Sequence, residues 1–189
     1  EASELTARRT ACSSALAADY LARDDARRLL VVGCGTLAAH MVRAHACVRD
    51  YRHIDIWGRD PAKAAALAAR LREEGYPARA ADGLRAAVEA ADCVSCVTTS
   101  REALVRGAWL KPGVHLDLVG AFLPSMRETD ALAVARARVV VDTRAGALEE
   151  AGDLLQAIAE GAIGREAIST ELRDLLGGAG RRGDPGEIT

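Results

Sequence analysis

Short apolar runs alternate with helix-period stretches along most of this chain. Apolar runs at residues 29–32, 53–57, 77–81, 93–97, 114–119 and 138–142 predict six strands, the third of them weak. The stretches between them predict helices, the first at 37–48. Asp60 and Pro61 open the next, as an N-cap residue with proline at the first helical position. It carries Ala64, Leu67, Ala68 and Leu71 at helical spacing and closes at Gly75. Asp82 starts a helix through Leu84 and Val88, and others are expected at 128–137, 147–161 and 166–176. An alanine-rich helix at 5–21 precedes the first strand. A Gly/Arg-rich tail at 177–189 reads as flexible.

This alternation predicts an α/β fold. Runs that are apolar without a break suit parallel strands covered by helices on both faces. The expected architecture is a Rossmann-type doubly wound parallel sheet, with ligand sites at the C-terminal ends of its strands. The helix at 5–21 is not needed by that sheet. It reads as a connection to another domain, or as part of one.

Composition narrows the setting. A chain of 189 residues can build one substantial domain, and half of it is hydrophobic with very few aromatics, so the core must come from Ala, Leu and Val. The formal net charge of -2 gives no electrostatic case for nucleic acid or an anionic membrane. No apolar run approaches the roughly 20 residues that span a bilayer. The chain begins at Glu1 without Met and shows no signal peptide, so an N-terminal segment is expected to precede it. An odd count of five cysteines then fits a reducing cytoplasm. Cys93 and Cys96 form a C-x-x-C match inside a predicted strand. Residues three apart on a strand point to opposite faces, so this pair reads as core packing rather than redox or metal chemistry. His40, His45, His53 and His115 show no metal-ligand spacing.

The first strand leads directly into Gly33-Cys34-Gly35-Thr36-Leu37-Ala38, a Gly-x-Gly-x-x-Ala turn that opens a helix. Gly33 would make the turn, Gly35 would let a pyrophosphate approach, and Ala38 would let helix and strand pack closely. The alternative is a tight turn in an unrelated α/β fold. At the end of the second strand, Gly58 stands where NAD-binding folds carry an acid, and Arg59 follows at once. Arg59 could pair with a 2′-phosphate and stack on adenine. Asp60 would repel that phosphate unless it is consumed as the N-cap of the next helix. The balance tips toward NADP over NAD. Thr98 and Thr99 end the fourth strand, where their hydroxyls would either meet the nicotinamide ribose or cap a turn.

Several segments together resemble the ornithine cyclodeaminase/mu-crystallin family. They are residues 5–11 with Arg9-Thr10-Ala11, the turn at 33–38, Val119-Gly120-Ala121-Phe122-Leu123-Pro124-Ser125-Met126-Arg127-Glu128, Val141-Asp142-Thr143-Arg144, and Glu150-Ala151-Gly152-Asp153-Leu154. The resemblance implies a homodimer whose substrate domain lies mostly outside this chain. It divides the chain into a connecting helix at 1–24, an NAD(P)-binding Rossmann domain at 25–165, and a C-terminal helix and tail at 166–189 returning toward the substrate domain. It also implies that Arg9 clamps a substrate carboxylate, that Thr36 and Leu37 touch the pyrophosphate, and that Val119 and Thr98 line the nicotinamide end. A family lysine falls outside the chain, and neither Lys63 nor Lys111 sits where it could replace it. Cyclodeaminases carry an aspartate at the position of Phe122, and Phe122 has no proton to give or take.

Deamination with ring closure is therefore not expected. The implied reaction is NAD(P)H-dependent reduction of a cyclic imino acid of the Δ1-pyrroline-2-carboxylate type, with hydride delivered to the C=N carbon. The alternatives are another enzyme of the family, such as an amino-acid dehydrogenase, a hydroxyproline dehydratase or, against the reading of Phe122, an ornithine cyclodeaminase, and a non-catalytic NADPH-dependent binding protein of the mu-crystallin type.

Overall fold

The computed structural model describes residues 2–189. Five parallel strands form one sheet in the order β3-β2-β1-β4-β5. They are β1 (Arg28–Val32), β2 (His53–Trp57), β3 (Ala78–Ala80), β4 (Cys93–Cys96) and β5 (His115–Leu118). Helices α1 (Ala2–Leu21), α2 (Thr36–Val48), α3 (Pro61–Glu73) and α4 (Leu84–Ala90) accompany them. The centre of the sheet shows why β1 reads as an unbroken apolar run. Leu29 and Val31 join a core with Met41, Ile54, Ile56 and Leu71. Leu30 and Val32 point the other way, into a second core with Val88, Val94 and Val114. Each face of the strand buries its own alternate residues, so none of the positions from Leu29 to Val32 is polar. Strand order reverses beside β1, whose neighbours are β2 and β4, and the crevice of an open α/β sheet lies at such a point.

The second half departs from the expectation in five places. The strand at 138–142 shrinks to β6 (Val140–Val141), which pairs with β7 (Thr170–Glu171) and not with the large sheet. The place beside β5 is taken by the tail. Leu116 N–H donates to Thr189 O at 2.7 Å, Thr189 N–H to Val114 O at 3.3 Å, and Arg138 N–H to Ile188 O at 2.8 Å. The tail expected to be flexible is thus docked. Its arginine does the tying: Arg182 donates to Leu21 O at 2.6 Å and to Thr189 Oγ1 at 3.1 Å. Composition cannot register such guanidinium-to-carbonyl ties.

The helix expected at 128–137 begins only at α5 (Ala131–Arg136), because Asp130 caps it by accepting from Ala133 N–H at 3.0 Å. The helix at 147–161 is two helices, α6 (Arg144–Glu150) and α7 (Gly152–Ala159), broken at Ala151. The last helix is reduced to α8 (Leu172–Leu176), where Glu171 and Asp174 form a reciprocal capping box. Asp82 does not cap its helix; Gly83 holds that position.

Helix α1 lies along α2 and is tied at its end by one arginine. Arg49 donates to the Asp19 carboxylate at 2.6 Å and to the carbonyls of Asp19, Ala22 and Arg23 at 2.8, 3.2 and 3.3 Å. Asp19 lies in the last turn of α1, whose carbonyls lack partners within the helix, and Ala22 and Arg23 lie just beyond its end. Replacing Arg49 by Met keeps the apolar stem and removes the donors. The expected loss is about 2 kcal/mol of unfolding free energy, read as a lower urea midpoint at unchanged slope.

Candidate functional site

The turn after β1 is fixed from two sides. Gly33 N–H donates to Trp57 O at 2.7 Å, which locks the turn to the end of β2. Gly33 has φ +125°, and a Cβ there would sit 2.9 Å from Val97 O, so both conformation and space require glycine. Gly35 caps α2 with no side-chain hydrogen bond, and the space where its Cβ would lie is open. The helix therefore presents N–H groups at Thr36 and Leu37 without a capping side chain, and its dipole favours an anion there. Ala38 is buried completely against the sheet.

The end of β2 is equally defined. Asp60 Oδ1 accepts from Ala62 N–H at 3.0 Å and Lys63 N–H at 3.3 Å, so it is consumed as the cap of α3. Its other oxygen lies 3.7 Å from Lys63 Nζ. Arg59 is exposed next to it.

A cleft of about 840 Å³ opens at the C-terminal ends of β1, β4 and β5. Arg9, Gly35, Thr36, Leu37, Thr98, Val119 and Phe122 all line it. Phe122 is half exposed there. Gly58, Arg59 and Asp60 lie outside this lining, at the end of β2. The structure thus gathers the residues assigned to the pyrophosphate, nicotinamide and substrate in one cleft and sets those assigned to the adenosine apart.

Glu128 organises the floor of the cleft. It is fully buried, although it carries a carboxylate. Its Oε1 accepts from Thr98 N–H at 2.6 Å and from the Thr98 hydroxyl at 2.8 Å, and its Oε2 accepts from Gly120 N–H at 2.7 Å. One side chain therefore joins the residues that follow β4 and β5. The Thr98 hydroxyl is spent inward on this bond. Gly120 leaves room for it, because a Cβ there would strike both Thr98 O and Glu128 Oε1. Asp153 holds the Glu128 backbone from behind, its Oδ1 accepting from Glu128 N–H at 2.9 Å and Thr129 N–H at 2.8 Å. Burial pushes Glu128 up to about 7, against the three donors that favour its charge and with the Asp153 charge adding to the rise. Burial likewise pushes Asp153 up to about 6.

A second polar group, half-buried, lies in the cleft lining on β5. Asp117 accepts from Ser14 of α1 at 2.7 Å and from Ser95 of β4 at 2.6 Å. The Nε2 of fully buried His45 stands 3.5 Å from the same carboxylate. Burial opposes charge on both groups, yet the pairing keeps Asp117 below and His45 above their ordinary ranges. Cys93, read from the sequence as core, is buried with its Sγ 3.9 Å from His45 Nδ1. Lys111 is engaged elsewhere, 2.8 Å from Asp92.

Sequence reasoning assigned no role to Glu128, Asp153, Asp117 or His45. Glu128 and Asp153 do sit inside two of the segments that carry the family resemblance. Asp117 within Leu116-Asp117-Leu118 interrupts an apolar strand.

Replacing Glu128 by Gln puts an amide NH₂ against N–H donors and is expected to cost about 1–3 kcal/mol. The pH dependence has a definite sign. A carboxyl raised from 4.5 to about 7 holds a proton in the folded state that the unfolded chain has released. Its contribution is therefore fully present below about 4.5 and is lost as pH rises toward about 7. Denaturation curves across that window are expected to show a flatter pH response for E128Q than for the parent.

The model of the ornithine cyclodeaminase/mu-crystallin family matches residues 1–189. A Δ1-pyrroline-2-carboxylate reductase of Paracoccus denitrificans is 43% identical over 183 residues, covering 96% of this chain and 58% of that protein. A structure of the Thermococcus litoralis Δ1-pyrroline-2-carboxylate reductase with NADH and L-proline superimposes with TM-score 0.94 at 32% identity, over 97% of this chain and 58% of that one. A structure of the Paracoccus denitrificans iminosuccinate reductase with NAD+ gives TM-score 0.87 at 31% identity, over 97% and 56%. The chain spans little more than half the length of these relatives. It belongs to the ornithine cyclodeaminase/mu-crystallin family, and its sheet is a Rossmann-type nucleotide-binding fold.

Proposed function

We propose that this member of the ornithine cyclodeaminase/mu-crystallin family forms the dinucleotide-binding part of an NAD(P)H-dependent reductase. Its substrate is a cyclic imino acid of the Δ1-pyrroline-2-carboxylate type. The observation that carries the reading is the pairing, in one cleft, of an open helix N-terminus with Phe122 in place of an acid. Thr36 and Leu37 would hold the pyrophosphate on their N–H groups, and the open space over Gly35 fits that role. When bound, the dinucleotide supplies the hydride for the C=N carbon.

The chain's own residues bind and orient. Arg9, on the face of α1 that lines the cleft, offers a planar fork to the substrate carboxylate. Phe122 supplies an apolar wall that keeps water from the reacting carbon. A protonated imine is already electrophilic, so no acid is needed at that position. Glu128 keeps the ends of β4 and β5 at fixed separation, which preserves the alignment on which transfer depends.

The cofactor preference favours NADPH. With Asp60 consumed as a cap, Arg59 is free to meet a 2′-phosphate, and Gly58 offers no carboxylate to a ribose diol. A cytoplasmic homodimer acting on a small imino acid completes the reading, supported by the family likeness.

The test is oxidation of NADPH and NADH by the protein given Δ1-pyrroline-2-carboxylate, with iminosuccinate and pyruvate plus ammonia as rivals. Turnover with the cyclic imine is expected to exceed the others, and absence of any imine turnover rejects the proposal. Arg9→Met is expected to raise KM for the imine by about 10- to 100-fold, as loss of a charged hydrogen-bonded pair predicts. Arg59→Ala should cost NADPH affinity and spare NADH.

A further inference from the structure

The Gly-x-Gly turn and the end of β2 touch through one side chain. A Cβ placed on Gly58 would lie 2.6 Å from Cys34 Sγ and 3.4 Å from Cys34 Cβ. The first separation is a collision and the second is ordinary contact. The thiol is not free to swing away without loss, because it packs against the core beneath β1 and β2. The turn cannot retreat either, since Gly33 N–H is bonded to Trp57 O, one residue before Gly58. Cys34 and Gly58 therefore form a matched pair, one filling the space that the other leaves.

We infer that Cys34 is a specificity-determining residue for the dinucleotide: its sulfur closes position 58 to any side chain, and so to the carboxylate that would bind the ribose diol of NAD. The inference rests on the dinucleotide reading above, and it adds that selectivity is set across two elements. An acid at 58 cannot work until position 34 is made smaller. Alanine at 34 suffices, because only the sulfur collides.

Calorimetric titration of the full chain with NADH and with NADPH tests this without recourse to activity. G58D alone is expected to bind both dinucleotides poorly, since the new side chain displaces the turn. C34A/G58D is expected to bind NADH at least about tenfold more tightly than G58D, a coupling of ordinary size for side chains in contact. Equal NADH affinity in G58D and C34A/G58D overturns the inference. Should either aspartate variant fail to fold, G58A and C34A/G58A carry the same comparison with NADPH, where recovery in the double variant is expected and equality overturns it. A parent protein that binds neither dinucleotide rejects the underlying reading instead, so the two failures are distinct.

Discussion

The site depends on a carboxylate that water never reaches. Burying a carboxylate is costly unless its oxygens are met by donors, and Glu128 meets that condition with three. The result is a staple between two strand ends that the sheet's own ladder does not reach. Parallel strands are held together along their length, but their C-terminal loops are free to diverge, and those loops line the cleft. Asp153 holds the backbone on which Glu128 sits, and Arg127 pairs with Glu160 on the outer surface next to it. The segment 120–128 is thus anchored at both ends, at Gly120 and at Glu128, while Phe122, Leu123, Pro124 and Ser125 between them stay exposed.

The first half of the fold was legible because local chemistry there agrees with tertiary need. Asp60-Pro61 caps and opens α3 as its residue types require, and β1 is apolar from Leu29 to Val32 because two cores claim alternate residues. The second half was less legible because its organising contacts are distant in sequence. The helical pattern at 128–137 includes a glutamate whose partners lie at Thr98 and Gly120, and nothing local marks it as buried. The tail has the composition of a flexible segment. Its order comes from carbonyls of α1 that only the folded chain brings near. For the cleft, what was legible is position: Gly35, Thr36 and Leu37 of the glycine turn, Arg9 and Phe122, singled out from separate segments, line one cleft. The buried ties were not legible, since their function exists only in pairs.

Helix α1 carries Arg9 but belongs to neither layer of the sheet by pattern alone. It is fixed by packing on α2, by Arg49 at its end, and by the Ser14 bond to Asp117 near its middle. Asp117 also joins Ser95, so the same carboxylate ties α1 to β4 and to the edge strand β5. The guanidinium and the strand ends are thereby parts of one solid, and their separation is set by covalent and hydrogen-bonded geometry rather than by loop statistics.

The docking of the last residues has a kinetic meaning. Thr189 donates to the carbonyl of Leu21 at 3.3 Å, and its backbone pairs with β5. These contacts close nearly the whole length of the chain into one loop, and such long closures are the slowest to form. During synthesis the central strands can pair as soon as they emerge, whereas the outer side of β5 and the end of α1 must wait for residues 182–189. Until then that edge of the sheet is an unpaired strand, open to pairing with a wrong partner.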